Sequence, residues 1–215
     1  MEKDNPPKNE WLTIDHVLAY LARADKLPHR TEGERVLLEQ IPGHTKRILD
    51  LGTGDGRLMS LVKLNRPRAE GVALDFSEPM LERATERFTK ETNVTVFKHD
   101  LRRPLPAKQL GCFDAIVSSL AIHHLEHPRK RQLYKEVFSM LNPKGVFCNL
   151  DRVASSTENV HVKFLKFSGV PRTEDPSNRL LDVETQLKWL RQIGFTDVDC
   201  YWKWMEMALM MGFKP

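Results

Sequence analysis

The chain has 215 residues, 40% hydrophobic and 29% charged, with 33 Lys and Arg against 29 Asp and Glu and a formal net charge of +4. That suits one globular domain, or one domain with a small cap, and its mild basicity reads as a solvated surface rather than a nucleic-acid footprint, because the tight clusters (Arg102-Arg103, Arg129-Lys130-Arg131) are short. No apolar run approaches the roughly 18 residues a membrane span needs, no secretory segment is visible in Met1 to Glu10, and the isolated Cys112, Cys148 and Cys200 read as reduced thiols. The expectation is a soluble, cytoplasmic protein with no membrane partner, monomeric or homodimeric.

In chain order, Met1 to Glu10 reads as a disordered lead. Trp11 to Ala24 carries a helical apolar stripe. Lys26 to Arg30 reads as a loop. Thr31 is placed to cap a second helix, with Glu32 and Glu34 in its first turn, and Pro42-Gly43 ends it. From Lys46 strands and helices alternate. Arg47 to Leu51 is a strand, followed by a turn with glycines at alternate positions and a helix to about Asn65. Glu70 to Asp75 is a strand, with a helix from Pro79 to about Thr89 that Ser77 can cap. Val94 to Lys98 and Phe113 to Ser118 are strands, the latter a nearly continuous apolar run that predicts burial on both faces. A helix covers Arg129 to Leu141, Asn142 to Gly145 is a turn, and Val146 to Asp151 is a strand. Ala154 to Val170 holds a helix and Pro171 to Arg179 a loop. Leu181 to Ile193 is an amphipathic helix ended by Gly194. Thr196 to Trp204 and Met205 to Gly212 read as an antiparallel hairpin at the sheet edge. The rhythm predicts an α/β protein with a parallel sheet and helices on both faces.

The stretch Ile48-Leu49-Asp50-Leu51-Gly52-Thr53-Gly54-Asp55-Gly56 reads as strand, tight turn and helix N-terminus. Such a turn lets a ligand approach the backbone without a Cβ in the way and faces it with helix N–H groups. Asp75 ends the second strand, where a carboxylate can accept both ribose hydroxyls; the competing reading is a helix cap. Asp100 and the N–H of Leu101 follow the third strand, where they can address an adenine. Phe76 and Met80 can sandwich it or be ordinary core.

With these motifs in order, the chain resembles the class I S-adenosylmethionine-dependent methyltransferases, in particular their small-molecule branch with a helical N-terminal cap (methyltransferase domain 25/11-like). The resemblance rests on the glycine stretch, Val72-Ala73-Leu74-Asp75-Phe76-Ser77, Lys98-His99-Asp100-Leu101, Phe113 to Leu125 and Leu141 to Phe147. It implies a Rossmann-like, seven-stranded, mostly parallel sheet with the last strand antiparallel. It implies a cap at residues 1–45 and a core at 46–215 with an insertion at about 154–180. It also implies S-adenosyl-L-methionine as cofactor and S-adenosyl-L-homocysteine as product. Gly52, Gly54 and Gly56 then approach the methionine moiety, Asp50 orients its ammonium, Asp75 holds the ribose, Asp100 the adenine amine, and the backbone near Ser118 closes the site. A dinucleotide dehydrogenase is disfavoured, since the glycines run G-x-G-x-G rather than G-x-G-x-x-G.

The expected reaction is in-line methyl transfer to a small-molecule acceptor. His123 and His124, after the fourth strand, are suited to moving a proton, or they form a helix entry; of the two, His123 is the stronger candidate to touch substrate. Arg30 can meet the methionine carboxylate or an anionic substrate, or be a surface charge. His29, Glu34, Asp151, Arg152 and Arg179 are further acceptor-side candidates. Trp189, Trp202 and Trp204 read as packing. No metal site is expected, because Pro128 breaks the His123–His127 spacing. An RNA-modifying enzyme and a non-catalytic cofactor-binding protein remain alternatives; nucleic acid is the less favoured partner.

Overall fold

The computed structural model describes residues 10–24, 27–169 and 176–215. The lead through residue 9, part of the loop after the first helix and most of the 171–179 loop lie outside them. The described helices are α1 (Ile14–Ala24), α2 (Arg30–Gln40), α3 (Arg57–Asn65), α4 (Glu78–Arg87), α5 (Ala107–Leu110), α6 (His127–Met140), α7 (Glu158–Ser168) and α8 (Val183–Ile193). The strands are β1 (Arg47–Leu51), β2 (Glu70–Asp75), β3 (Val94–Lys98), β4 (Phe113–Ser119), β5 (Leu141–Arg152), β6 (Thr196–Trp204) and β7 (Met207–Phe213), and short 3-10 turns lie at Glu10–Leu12 and Ile122–His124. They form one seven-stranded sheet in the order β3-β2-β1-β4-β5-β7-β6. β1 to β5 pair in parallel, and β7 runs antiparallel between β5 and β6. The fold is the Rossmann-like one expected.

Alternate residues of a strand point to opposite faces, and β1 shows the consequence. Ile48 joins one buried cluster with Leu37 of α2, Met59 and Val62 of α3 and Ala84 of α4. Leu49 and Leu51 join the other, with Leu133 and Val137 of α6 and Leu187 and Leu190 of α8. Gly33 shows how closely α2 lies on the sheet. A Cβ there would stand 2.9 Å from both the Leu150 and Trp202 side chains.

Four local expectations are corrected. Thr31 does not cap α2: the helix begins at Arg30, after His29 in the left-handed region with φ 63°. Ser77 sits at the start of α4, but its Oγ donates to the Trp11 carbonyl at 2.6 Å. The Asp75 carboxylate instead accepts from the Phe76 and Ser77 N–H groups, at 2.8 and 2.9 Å. Asn142 to Gly145 is a bulge inside β5, since Leu141 already pairs with Phe113 before Val146 pairs with Ala115. The Asn142 amide secures it by donating to Asp114 Oδ1 at 2.8 Å. Finally, Arg129-Lys130-Arg131 is not simply a solvated cluster, because Lys130 is only 1% exposed.

Candidate active site

Parallel strands leave their carboxyl ends on one edge, and a crevice opens there where the strand order reverses. Here the reversal lies between β1 and β4, and the cavity beyond it has a volume of about 610 Å³. Its lining brings together Asp50, Gly52, Gly54, Asp75, Phe76, Met80, Asp100, Leu101, Arg30 and His124. Three other candidates are placed differently. Gly56, φ 85°, starts α3, and a Cβ there would meet the Phe88 ring at 2.6 Å. Ser118 is buried and donates its hydroxyl to the Leu51 carbonyl at 2.7 Å. His123 is buried behind the wall, with Nδ1 2.6 Å from Asp151 Oδ1. Its neighbour Ser119 lines the cavity in place of Ser118.

The glycine turn is held by its conformation and its neighbours. Thr53 N donates to the Leu74 carbonyl at 2.8 Å, and Thr53 Oγ1 donates to Asp50 Oδ2 at 2.7 Å. Gly52 has φ 69°, and a Cβ there would lie 2.3 Å from the Ala121 Cβ. Gly54 has φ 57° and donates its N–H to Asp75 Oδ2 at 2.8 Å. Asp75 therefore ties down the turn, holds the chain ahead of α4 through the Phe76 and Ser77 N–H groups, and lines the cavity, without capping the helix itself. Burial raises the Asp75 carboxyl above its usual range, against the backbone N–H bonds that favour its charge.

Asp50 is fully buried, and burial pushes its carboxyl up to about 7 despite the Thr53 bond. Its Oδ1 is without a hydrogen-bond partner, as are His99 Nε2 and Ser119 Oγ, and all three residues line the cavity. At the other end, the Arg102 guanidinium pairs with Asp100 at 2.8 Å and lies 5.6 Å from the Phe76 ring centre. Burial pushes the Asp100 carboxyl up, but the Arg102 bonds and charge outweigh it and hold it low. Beside the glycine turn, the buried Glu34 carboxylate accepts from Arg30 Nε at 2.9 Å and from Arg57 Nε and Nη2 at 2.9 and 2.8 Å. This cluster gives Arg30 a buried place on the wall rather than a loop surface.

The remaining wall includes Trp11 of the Glu10–Leu12 turn, Tyr20 of α1, residues 119–121 and 124–126 around the short turn, and residues 176, 177 and 179. The Trp11 ring packs edge-on against Tyr20 at 4.8 Å and His124 at 5.3 Å, and all three line the cavity. The His124 ring centre lies 4.0 Å from that of His123, the two rings tilted by 38°, and its Nδ1 is 2.7 Å from Ser177 Oγ. Burial, then the neighbouring His123, holds His124 well below the usual imidazole range, so it is neutral at pH 7. Burial pushes the Lys130 ammonium down to about 8, against Asp151 and Glu126. Trp11, Tyr20, Thr53, Arg57, Ser119 and Ser177 were not singled out from sequence. Tyr20 had a signal, as the one hydroxyl in the α1 stripe; Arg57 and Ser177 depend on contacts across the fold.

These groups fit S-adenosylmethionine. Asp50 offers a partnerless carboxylate oxygen to an ammonium, and the positive-φ glycines hold the turn against the space its methionine would fill. Phe76 and Met80 line the cavity near Asp100, and Arg30 and Arg57 bring cations to its wall beside the glycine turn. The fold is Rossmann-like, and the groups lining its crevice have the chemistry to meet a nucleoside carrying an amino-acid tail.

The comparisons with known proteins agree. Residues 48–145 match a family model described as a methyltransferase domain. The chain is 27% identical over 210 residues to a pyochelin synthetase of Pseudomonas aeruginosa, covering 95% of this chain and 14% of that protein. It is 36% identical over 107 residues to a malonyl-[acyl-carrier protein] O-methyltransferase of Marinomonas, covering 49% of this chain and 38% of that protein. Human N-acetylserotonin methyltransferase in complex with S-adenosylmethionine superimposes with a TM-score of 0.69 at 14% identity, over 98% of this chain and 60% of that one. The chain spans less than two thirds of each of these three. The match to the methyltransferase-domain model thus covers residues 48–145, and the solved structure shares the Rossmann-like fold.

Proposed function

We propose that this chain transfers the methyl group of S-adenosylmethionine to a small-molecule acceptor that enters between α1, the 122–124 turn and residues 176–179. The observation that carries the reading is the shared cavity. The donor-side groups (Asp50, Gly52, Gly54, Asp75) and a neutral, ring-lined polar patch (Trp11, Tyr20, His124) line one space of about 610 Å³, within the roughly 300–1,000 Å³ of small-molecule sites. Of the proposed cap, Trp11, Tyr20, Leu21 and Arg30 line this space, and of the proposed insertion, Pro176, Ser177 and Arg179 line it.

S-adenosylmethionine supplies a methyl group on a sulfonium that leaves readily. The chain supplies position, which can be worth on the order of 7–11 kcal/mol. Asp50 binds the amino group, Arg30 and Arg57 the carboxylate, Asp75 the ribose, and Phe76, Met80, Asp100 and Leu101 the adenine. Trp11 and Tyr20 exclude water from the reacting end. His124 presents the acceptor with a neutral imidazole, which can accept a proton but is a weak base. That suits an acceptor already ionised, or one that loses its proton easily. The Marinomonas relative is named for a malonyl group on acyl-carrier protein, which supports placing small acids, free or carried, among the acceptors tested first.

The test is incubation of purified protein with methyl-labelled S-adenosylmethionine and a metabolite extract. Label in low-mass products supports the proposal. Label confined to RNA, or no label beyond a protein-free control, overturns it.

A further inference from the structure

Lys130 carries a cation where the fold has no evident need of one. It lies on the inward stripe of α6 with Leu133, Tyr134, Val137 and Met140, all buried. A methionine would fill that space without the cost of taking an ammonium out of water. What the ammonium adds is its donors. Lys130 Nζ donates to the His123 carbonyl at 3.3 Å and to the Arg179 carbonyl. The His123 carbonyl also accepts from the Arg179 N–H at 2.9 Å. Further along, Ala154 N donates to the Leu181 carbonyl at 3.1 Å, and Arg179 Nε donates to Glu126 Oε1 at 2.7 Å. Residues 176–181 are thus stitched across the 122–124 turn, with Lys130 at the junction. The same segment brings Ser177 Oγ to 2.7 Å from His124 Nδ1.

We propose that Lys130 is a positioning residue for the acceptor end: through the carbonyls of His123 and Arg179 it pins segment 176–181 against the histidine pair and thereby fixes the His124 ring. The proposal rests on the reading that the His124 end receives the acceptor. Lys130 itself does not line the cavity, so it acts through the segment and not by contact. A ring nitrogen bonded on one side has a set tautomer, which decides what its other nitrogen offers to a bound molecule.

The test uses the full chain saturated with S-adenosylhomocysteine. In Lys130→Met, exchange of the Arg179 amide should quicken by about tenfold or more as the segment opens locally, and the imidazole ¹⁵N signals of His124 should move toward averaged tautomers. Affinity for S-adenosylhomocysteine should stay within about twofold, since its contacts lie on other elements. Ser177→Ala should move the same ¹⁵N signals while leaving Arg179 exchange slow. Unchanged Arg179 exchange and unchanged His124 signals in Lys130→Met would overturn the proposal. So would loss of S-adenosylhomocysteine binding together with a collapse in melting temperature, which marks a purely structural lysine. In the wild type as well, an Arg179 amide exchanging at the unprotected rate would contradict the pinned segment. None of these readouts needs an acceptor, so a failed methyl-transfer assay leaves them standing.

Discussion

Replacing Asp50 with Asn separates two effects that the structure opposes. The side chain is fully buried, and burial lifts its carboxyl from 3.8 to about 7. That shift corresponds to about 4 kcal/mol against the ionised form in the free protein, at about 1.4 kcal/mol per pKa unit. The folded state therefore holds its proton more tightly than the unfolded chain. Stability falls as pH rises from about 4 to about 7, and the full penalty remains above that. Asn keeps an oxygen for Thr53 Oγ1, which now donates to Asp50 Oδ2, and carries no charge to desolvate. The free variant should melt higher than wild type at pH 8 and close to it near pH 4. Cofactor binding should move the other way. An ammonium on a buried carboxylate is worth about 1.5–3 kcal/mol, so S-adenosylhomocysteine should bind Asp50→Asn roughly 10- to 100-fold more weakly at pH 8. In the wild type, the site must be ionised to receive the ammonium. Affinity should decline below about pH 7, by up to about tenfold per pH unit, while Asp50→Asn stays flat. Calorimetric titration between pH 5 and 8.5 and thermal melts between pH 4 and 8.5 give both curves. Equal affinity of the two proteins at pH 8, with the same pH profile, would refute the role of Asp50 and the electrostatic reasoning behind it.

Three further outcomes are expected. Gly52→Ala puts a Cβ 2.3 Å from Ala121 at a backbone φ of 69°; strain of about 1–3 kcal/mol should lower the melting temperature and weaken S-adenosylhomocysteine binding in a titration. Glu34→Gln removes the anion that Arg30 and Arg57 share, with Glu34 itself only 1% exposed; breaking such a buried pair costs about 3–5 kcal/mol, read by denaturant unfolding. His124→Ala should reduce methyl transfer to an identified acceptor by roughly 10²-fold or more while leaving S-adenosylhomocysteine affinity nearly unchanged. Equal losses in both would place His124 in the cofactor site.

Much of the sheet was legible because its strands are short apolar runs bounded by glycine, proline and charge. Arg47–Leu51, Glu70–Asp75 and Val94–Lys98 fall where the sequence pattern puts them. The place of Asp75 and Asp100 on the crevice was legible for a related reason, since strand ends dictate which residues reach it, whereas Asp50 was singled out only through the family resemblance. Turn geometry was not. Whether His123 or His124 faces the cavity depends on a three-residue 3-10 turn, which no periodicity sets, and the structure turns His124 inward. Lys130 was hidden by its neighbours in sequence, although Leu133, Tyr134 and Val137 at helical spacing place it on the buried stripe. The Arg30–Glu34 pair is a local i, i+4 contact, but Arg57 completes it from α3, and only the packing of α2 on the sheet brings them together.

The most direct test is a crystal structure with S-adenosylhomocysteine bound. The account predicts its amino group at about 3 Å from Asp50 Oδ1, a hydrogen-bond distance, its adenine between Phe76 and Met80, and its sulfur open toward Tyr20 and His124. A ligand bound outside this cavity, or a sulfur whose open side faces away from Trp11, Tyr20 and His124, would contradict it.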